Sequence, residues 1–413
     1  MIGVVEYFTT PTRTLVFGVR ADRDQPLVRE VRFGEEPVCR DDLLARADRL
    51  LIDFHGLPHD WETSKHANRI RRALALSPAV HAAKRAQPAL QRNLRKAAFA
   101  YTLDYWQELS EALLPADLRD WLQGCELLCI VPHGPLHSLP LGALNWSQDG
   151  NLIDRAGLCT VPSASVLRSC RAKNRARREP GHRPRSCLIA AVAAADDQDP
   201  GDFEADGAAL ARIFAAHADS RVTQLVGAAP QGGRRPASKE LISSELGGHD
   251  VVHLACHGIY DVDPDDTAPL DHAGLLVSDG ATTVALTELP NMSPTDRAPW
   301  LLSAREVLAA RLQADLVTLR ACSSGRAELG SGDELLGLTR AFLYAGTPSL
   351  IATLWNVHKR SSQRLLSDFY ELWIGERLPK WRALQTAQQR LRADPEYSHP
   401  YHWAPFVLVG DWL

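Results

Sequence analysis

From Ser186 to Leu413 the chain alternates short, mostly apolar runs with segments of helical period, and that rhythm restricts this half to an α/β fold. The strand-length runs are Cys187–Ala194, Arg221–Val226, Asp250–Cys256, Leu316–Arg320, Ser349–Leu354 and Phe406–Val409. Near-continuous apolar runs belong to strands buried on both faces, as in a parallel sheet covered by helices. Helical segments separate them at Glu204–Ala218, Ser238–Leu246, Ser303–Leu312, Glu334–Ala345, Arg360–Ile374 and Lys380–Ala393. Strands parted by helices at this spacing predict a doubly wound, mostly parallel sheet flanked by helices. A longer excursion between two of the strands is expected to hold a small hairpin, Gly274–Ser278 with Thr283–Leu286.

The first half reads differently. Val4–Phe8 and Thr14–Arg20 predict an N-terminal β-hairpin around Pro11, and Leu27–Phe33 adds a third strand. Asp41–Phe54 has a helical period, and the stretch from Lys65 to Gly124 is rich in helix formers broken by Pro78, Pro88 and Pro115. Its basic residues are best read as the solvated faces of amphipathic helices. Leu127–Val131 is a buried strand ending in Pro132-His133-Gly134, and Leu158–Val161 is another, followed by a helix opening at Ser163-Ala164-Ser165. The polar, basic run 173–185, KNRARREPGHRPR, carries Pro180 and Pro184 and is expected to be an exposed linker. A chain of 413 residues exceeds one ordinary core, so two domains are expected, 1–172 and 186–413.

Composition narrows the function classes. The chain is 45% hydrophobic and 23% charged, as folded soluble proteins are, and its net charge of −4 speaks against charge-driven nucleic-acid binding. Several of the eight cysteines lie inside apolar runs, which suits buried free thiols. Cys125 and Cys129 have no second pair at ligand spacing, so no zinc site is expected. No run reaches the roughly 20 apolar residues of a membrane helix, and the N-terminus lacks the pattern of a signal peptide. A reduced, cytoplasmic setting is therefore expected, with no membrane partner. The glycine-rich, acidic stretch Glu328–Glu334 lacks the Gly-Lys-Ser/Thr ending of a phosphate loop, and no cofactor is expected. It reads instead as a substrate-binding or activation loop.

Two strand ends carry reactive side chains. DVVHLACHGIY ends a strand with His257-Gly258, and ADLVTLRACSSG ends another with Cys322-Ser323-Ser324-Gly325. In an open α/β sheet, chemistry collects at the carboxyl ends of the strands. If both strands finish at one edge, an imidazole meets a thiol and the thiolate becomes populated at neutral pH. A strand-end Cys is ordinarily core, and Cys256 fits that description. The small-residue turn after Cys322 is what a substrate carbonyl would need for close approach. Backbone N–H groups of Gly258 and Cys322 would then serve as oxyanion donors. His253, four residues before His257, reads as a buried, hydrogen-bonded side chain, since no HExxH helix is present. In the first half, CIVPHGPLHSLP repeats the His-Gly strand end without a following Cys motif.

DVVHLACHG, LVTLRACSSG, AFLYAGTPSLIATLWNV and HPYHWAPFVLVGD, in that order, resemble the CHAT peptidases, caspase-like domains often joined to TPR repeats. ACSSG with AGTPSLIATLW is also similar to separase, of the same clan. VEYF, LCIVPHGPLHSLPLGAL and VPSASVL resemble the family's N-terminal region. The resemblance implies a caspase-like fold with His257 as base and Cys322 as nucleophile. It also implies that the first half is a degenerate pseudo-caspase α/β region. No 34-residue TPR-like repeat is found in the chain.

The function expected is a cysteine endopeptidase acting on protein substrates through a His257–Cys322 dyad. Regulated bacterial proteolysis, such as antiviral defence under an activating protein partner, is the setting the resemblance implies. Arg320 stands two residues before Cys322, on the same strand face, where it would bind substrate and favour an acidic P1 residue. The plainer alternative is that Arg320 pairs with a nearby acid. A catalytically silent caspase-fold scaffold and a small-molecule cysteine hydrolase are the competing functions.

Overall fold

The computed structural model describes residues 1–55, 71–73, 106–147, 150–177, 184–197, 201–216, 220–228, 235–259, 269–323, 333–355 and 357–413. Most of the proline-broken stretch expected to be helical, and the loop Glu328–Glu334 up to residue 332, lie outside the described residues. The chain forms two compact units, with Met1–Leu158 the body of one. Cys159–Gly325 with Glu334–Leu413 makes the other.

The first unit opens with an antiparallel meander of β1 (Ile2–Thr9), β2 (Thr14–Arg20), β3 (Leu27–Phe33) and the short β4 (Glu36–Pro37). Helices α1 (Arg40–His55) and α2 (Ala116–Trp121) follow. β5 (Leu127–Val131) then runs parallel to β1, with Val4 opposite Cys129. Every residue of β5 is buried, whereas β1 alternates between buried and exposed positions, so the apolar run and the alternating run each take the expected place. His133 follows β5. Its Nδ1 accepts the Thr9 N–H at 3.2 Å, and its ring lies 5.0 Å from that of Phe8. A two-stranded ribbon of β6 (Asn145–Ser147) and β7 (Gly150–Asn151) comes next.

β8 (Gly157–Thr160) leads to α3 (Ala164–Arg177) in the second unit. The linker expected at 173–185 therefore begins inside a helix, and the units part at Leu158 rather than at 172. Lys173 Nζ donates to the Leu343 carbonyl at 2.7 Å, and Asn174, only 2% exposed, donates to Asp411 at 2.5 Å. Polar side chains supplied with partners pack as well as apolar ones, which a reading by polarity alone overlooks.

The sheet of this unit runs β10–β9–β11–β14–β15–β16 across, from β9 (Ser186–Ala191), β10 (Arg221–Val226), β11 (Val251–Ile259), β14 (Leu316–Ser323), β15 (Ser349–Thr353) and β16 (Phe406–Gly410). Neighbours are parallel except β16, which is antiparallel to β15. Helices α4 (Gly201–Ala215), α5 (Lys239–Glu245), α6 (Ala304–Ala309), α7 (Asp333–Ala345), α8 (Lys359–Tyr370), α9 (Lys380–Ala393) and α10 (Pro400–Trp403) provide the connections and covering layers. This is the doubly wound, mostly parallel arrangement predicted. Asp250 fixes the start of β9 beside β11, its Oδ2 accepting from the N–H groups of Arg185 and Ser186 and from Ser186 Oγ at 2.7–3.0 Å.

The two faces of the sheet differ in chemistry. Leu188, Ala190, Val252, Leu254, Val317, Leu319, Leu350 and Ala352 share one apolar cluster with Ile242, Val307, Leu338 and Phe342 from the helices. Each fully buried Val, Leu, Ile or Phe side chain among these contributes about 1.5–3 kcal/mol. The opposite face carries His253, Ala255 and His257 of β11 and Thr318 and Arg320 of β14, beneath α4 and α8.

In the excursion after β11, β12 (Gly274–Leu276) pairs with β11 and with β13 (Leu301–Ser303), both antiparallel. The expected second arm at Thr283–Leu286 is not a strand. The Leu286 and Thr287 N–H groups donate to the Asp196 carboxylate instead, so no ladder forms there. Gly274 is required by close approach, because a Cβ there would lie 2.2 Å from the Leu302 carbonyl oxygen.

Candidate functional site

β11 and β14 are adjacent, parallel and in register, so His257 stands opposite Cys322. Strand spacing is about 4.8 Å, which makes the two backbone positions immediate neighbours near the carboxyl ends of both strands. The Val- and Leu-rich runs preceding each residue are buried and anchor the pair. His257 is half-buried where its strand neighbours are buried. Gly258 lies opposite Ser323 on one side and Leu275 of β12 on the other, within the strand rather than beyond it.

A third strand contributes a residue that motif reading missed. Beyond β9, on the other side of β11, Asp197 Oδ2 lies 2.8 Å from His257 Nε2. The same oxygen accepts the Ala194 N–H at 2.8 Å. Burial raises the Asp197 pKa, but the His257 hydrogen bond and charge, the Ala194 N–H and nearby Lys359 outweigh it, and the carboxyl titrates below its ordinary value. An ionised carboxylate only accepts, so Nε2 of His257 carries a proton in this contact, and Nδ1 is the nitrogen that can act as a base. The loop bearing Asp197 is itself held. Val192 N–H donates to Ala255 O, Ala195 N–H to Val284 O, and Asp196 accepts from Leu286 and Thr287. A carboxylate just after the strand beside the His strand was the available signal.

Arg320 stands opposite Ala255 and is buried. It is ion-paired with Asp206 of α4, each side chain 4% exposed, and its Nε donates to Ser362 Oγ at 3.0 Å. Its guanidinium carbon lies 5.0 Å from the centre of the Phe203 ring. The acid partner named as the alternative in the sequence is therefore present, and it is Asp206.

A family model of the CHAT domain matches residues 103–411. The chain belongs to the CHAT-domain family. Human tetratricopeptide repeat protein 28 is 27% identical to it over 308 residues, covering 68% of this chain and 12% of that protein. The mouse protein of the same name is 26% identical over 308 residues, with the same coverage. This CHAT chain thus spans 12% of the length of the curated relatives it matches. Among solved structures it is similar to a chain of the Saccharomyces cerevisiae separase–securin complex, with a TM-score of 0.55 and 12% identity over 99% of this chain and 30% of that one. At that identity the likeness concerns the fold, which is caspase-like: a mixed, mostly parallel sheet with flanking helices.

Within this CHAT domain His253 sits deeper on the face that carries His257, 2% exposed. Its Nδ1 is 3.3 Å from Tyr370 Oη, which also lies 2.7 Å from Thr318 Oγ1. Burial, and then the Arg320 charge, push the His253 pKa down to about 3, so the ring is neutral. Among the described residues no group of three or more His, Cys, Asp or Glu side chains is arranged to hold a metal ion. Nor is any described helix long and apolar enough to cross a membrane.

Proposed function

We propose that the protein is a cysteine endopeptidase in which His257 is the general base and Cys322 the nucleophile. The observation that carries this reading is the register of His257 against Cys322, with Asp197 bonded to the imidazole from the opposite side. His257 Nδ1 takes the thiol proton, and the thiolate attacks the scissile carbonyl to give a tetrahedral oxyanion. Backbone N–H groups at this strand edge are assigned to that oxygen, the expected donors being those of Cys322 and of Gly258, which lies within β11 between Ser323 and Leu275. Collapse breaks the C–N bond as the imidazolium protonates the leaving amine, and water then hydrolyses the thioester. Asp197 holds the imidazole in the reactive tautomer and favours the imidazolium.

The substrate is a protein and the activity is controlled by a protein partner in this reading. The relatives' names support it, one a tetratricopeptide repeat protein and the other a separase–securin complex. Regulated proteolysis in the cytoplasm, in antiviral defence, is the setting proposed. An acidic P1 preference would require Arg320 to act on substrate although its charge is already matched by Asp206. Incubating the purified chain beside Cys322→Ala, then mapping any self-cleavage, tests the activity and reads P1 directly. Cleavage that persists in Cys322→Ala would sink the assignment.

One observation favours the silent scaffold as a second reading. The first unit also ends a strand in His-Gly, and there the His133 imidazole accepts the Thr9 N–H, a purely structural bond. Full biological effect from Cys322→Ala would favour the scaffold.

A further inference from the structure

The face of the sheet below His257 holds a buried ion pair that the proposed reaction does not use. Burying two charges costs several kcal/mol each before their attraction offsets it, and apolar side chains of similar volume often serve stability as well. The pair formed by Arg320 and Asp206 is therefore poorly explained as a source of stability. Its surroundings suggest what it supplies instead. Phe203 and Asp206 are three residues apart in α4, so they share a helix face. Asp206 and Ser362 hold the guanidinium from two directions. Against it stands the Phe203 ring, and the His257 ring in turn meets Phe203 at 5.1 Å and 67°, an edge-to-face contact. Phe203 also packs with Ala191 and Ala255, from the strands flanking and carrying the site.

Asp197 alone does not fix the imidazole plane. A single hydrogen bond at Nε2 sets the tautomer but allows the ring to swing about the bond, moving Nδ1 relative to the neighbouring strand. An aromatic ring packed against the imidazole removes that freedom, and a second group must keep the aromatic ring in place.

We propose that Arg320, locked by Asp206 and Ser362, buttresses Phe203, and that Phe203 sets the plane of the His257 imidazole. Arg320 is then a positioning residue acting through Phe203, not a reader of the substrate side chain. The inference rests on the peptidase reading for its kinetic consequence, though not for its geometry.

The test uses the full chain labelled with ¹³Cε1-histidine, with the His257 resonance identified by His257→Gln. Phe203→Leu removes the ring. The double variant Arg320→Met/Asp206→Leu removes both charges, so that no lone buried charge unfolds the chain. Phe203→Tyr keeps the ring. Peptidyl-coumarin reporters with Asp, Leu or Arg at P1 give the kinetics. The expected result is that Phe203→Leu and the double variant both shift the His257 resonance and lower kcat on the order of 10-fold or more. That loss is by one common factor for all three reporters, with KM unchanged and Phe203→Tyr close to the parent. A His257 resonance unmoved in the double variant overturns the proposal, as does a loss confined to the Asp reporter, which would make Arg320 a specificity residue. If the parent chain turns over no reporter, and iodoacetamide alkylates Cys322 equally fast with and without His257, the peptidase reading fails. The His257 resonance still decides the buttress in that case.

Discussion

Asp197 Oδ2 and His257 Nε2 are 2.8 Å apart, and the carboxylate reaches the imidazole from the strand on the side away from Cys322. Three consecutive strands, β9, β11 and β14, thus converge on one edge. Aspartate follows the first, histidine ends the second and cysteine the third.

Replacing Asp197 by Asn should lower kcat by about 10²-fold, because the amide neither favours the imidazolium nor dictates the tautomer. The carboxyl is held below its ordinary pKa by the folded site, so its contribution is present at neutral pH and lost as pH falls through its folded titration. Activity profiles against pH should therefore converge for parent and variant at the acid end. Equal kcat at neutral pH would show that the contact plays no part in the chemistry.

Asp196→Ala should act on the same bond at one remove. It releases Leu286 N–H, Thr287 N–H and Thr287 Oγ1 and loosens the loop that presents Asp197. A fall in stability of about 1–2 kcal/mol with a larger fractional loss of kcat than of KM is expected. Urea denaturation and steady-state kinetics would separate the two, and an unchanged kcat would detach the loop anchor from the site.

Gly274→Ala should destabilise the second unit by about 2–4 kcal/mol. Its Cβ would sit 2.2 Å from Leu302 O and 2.8 Å from Ser303 Cα, both backbone atoms that move only with their strand. A urea midpoint equal to that of the parent would contradict this contact.

Acid sensitivity has a component at His253. Its folded pKa is pushed down to about 3, whereas an unfolded histidine titrates near 6.5. Between those values the unfolded chain binds a proton that the folded chain does not, so stability falls as pH drops, by up to about 1.4 kcal/mol per unit. His399 and His402, each pushed down to about 4 chiefly by burial, act in the same direction. His253→Leu should therefore lose less stability than the parent between about pH 7.5 and pH 5. Equal losses by urea denaturation would rule out this source.

The strands along the chain, and the small-residue turns where two of them stop, were legible because burial leaves continuous apolar runs. His257 and Cys322 therefore stand out as candidates from local pattern alone. Asp197 does not, since a carboxylate in a polar turn looks like any solvated loop until the neighbouring strand is known. Phe203 and Asp206 were hidden for a related reason: a Phe and an Asp near the start of a helix read as core and surface. The segment at Thr283–Leu286 resembles a hairpin arm in sequence, but the Leu286 and Thr287 N–H groups are met by a side-chain carboxylate rather than by a neighbouring strand. Arg320 lies on the strand face that carries His253 and Thr318, and its partner Asp206 comes from a helix that no spacing rule connects to it.

Asp196 and Asp197 are consecutive, yet one is tied to Leu286 and Thr287 and the other to His257. The excursion between β11 and β14 is thus moored a single peptide unit away from the imidazole's partner. A displacement of that excursion, by a bound protein or by a cut within it, would pull on Asp196 and so on the residue next to it, which holds the imidazole.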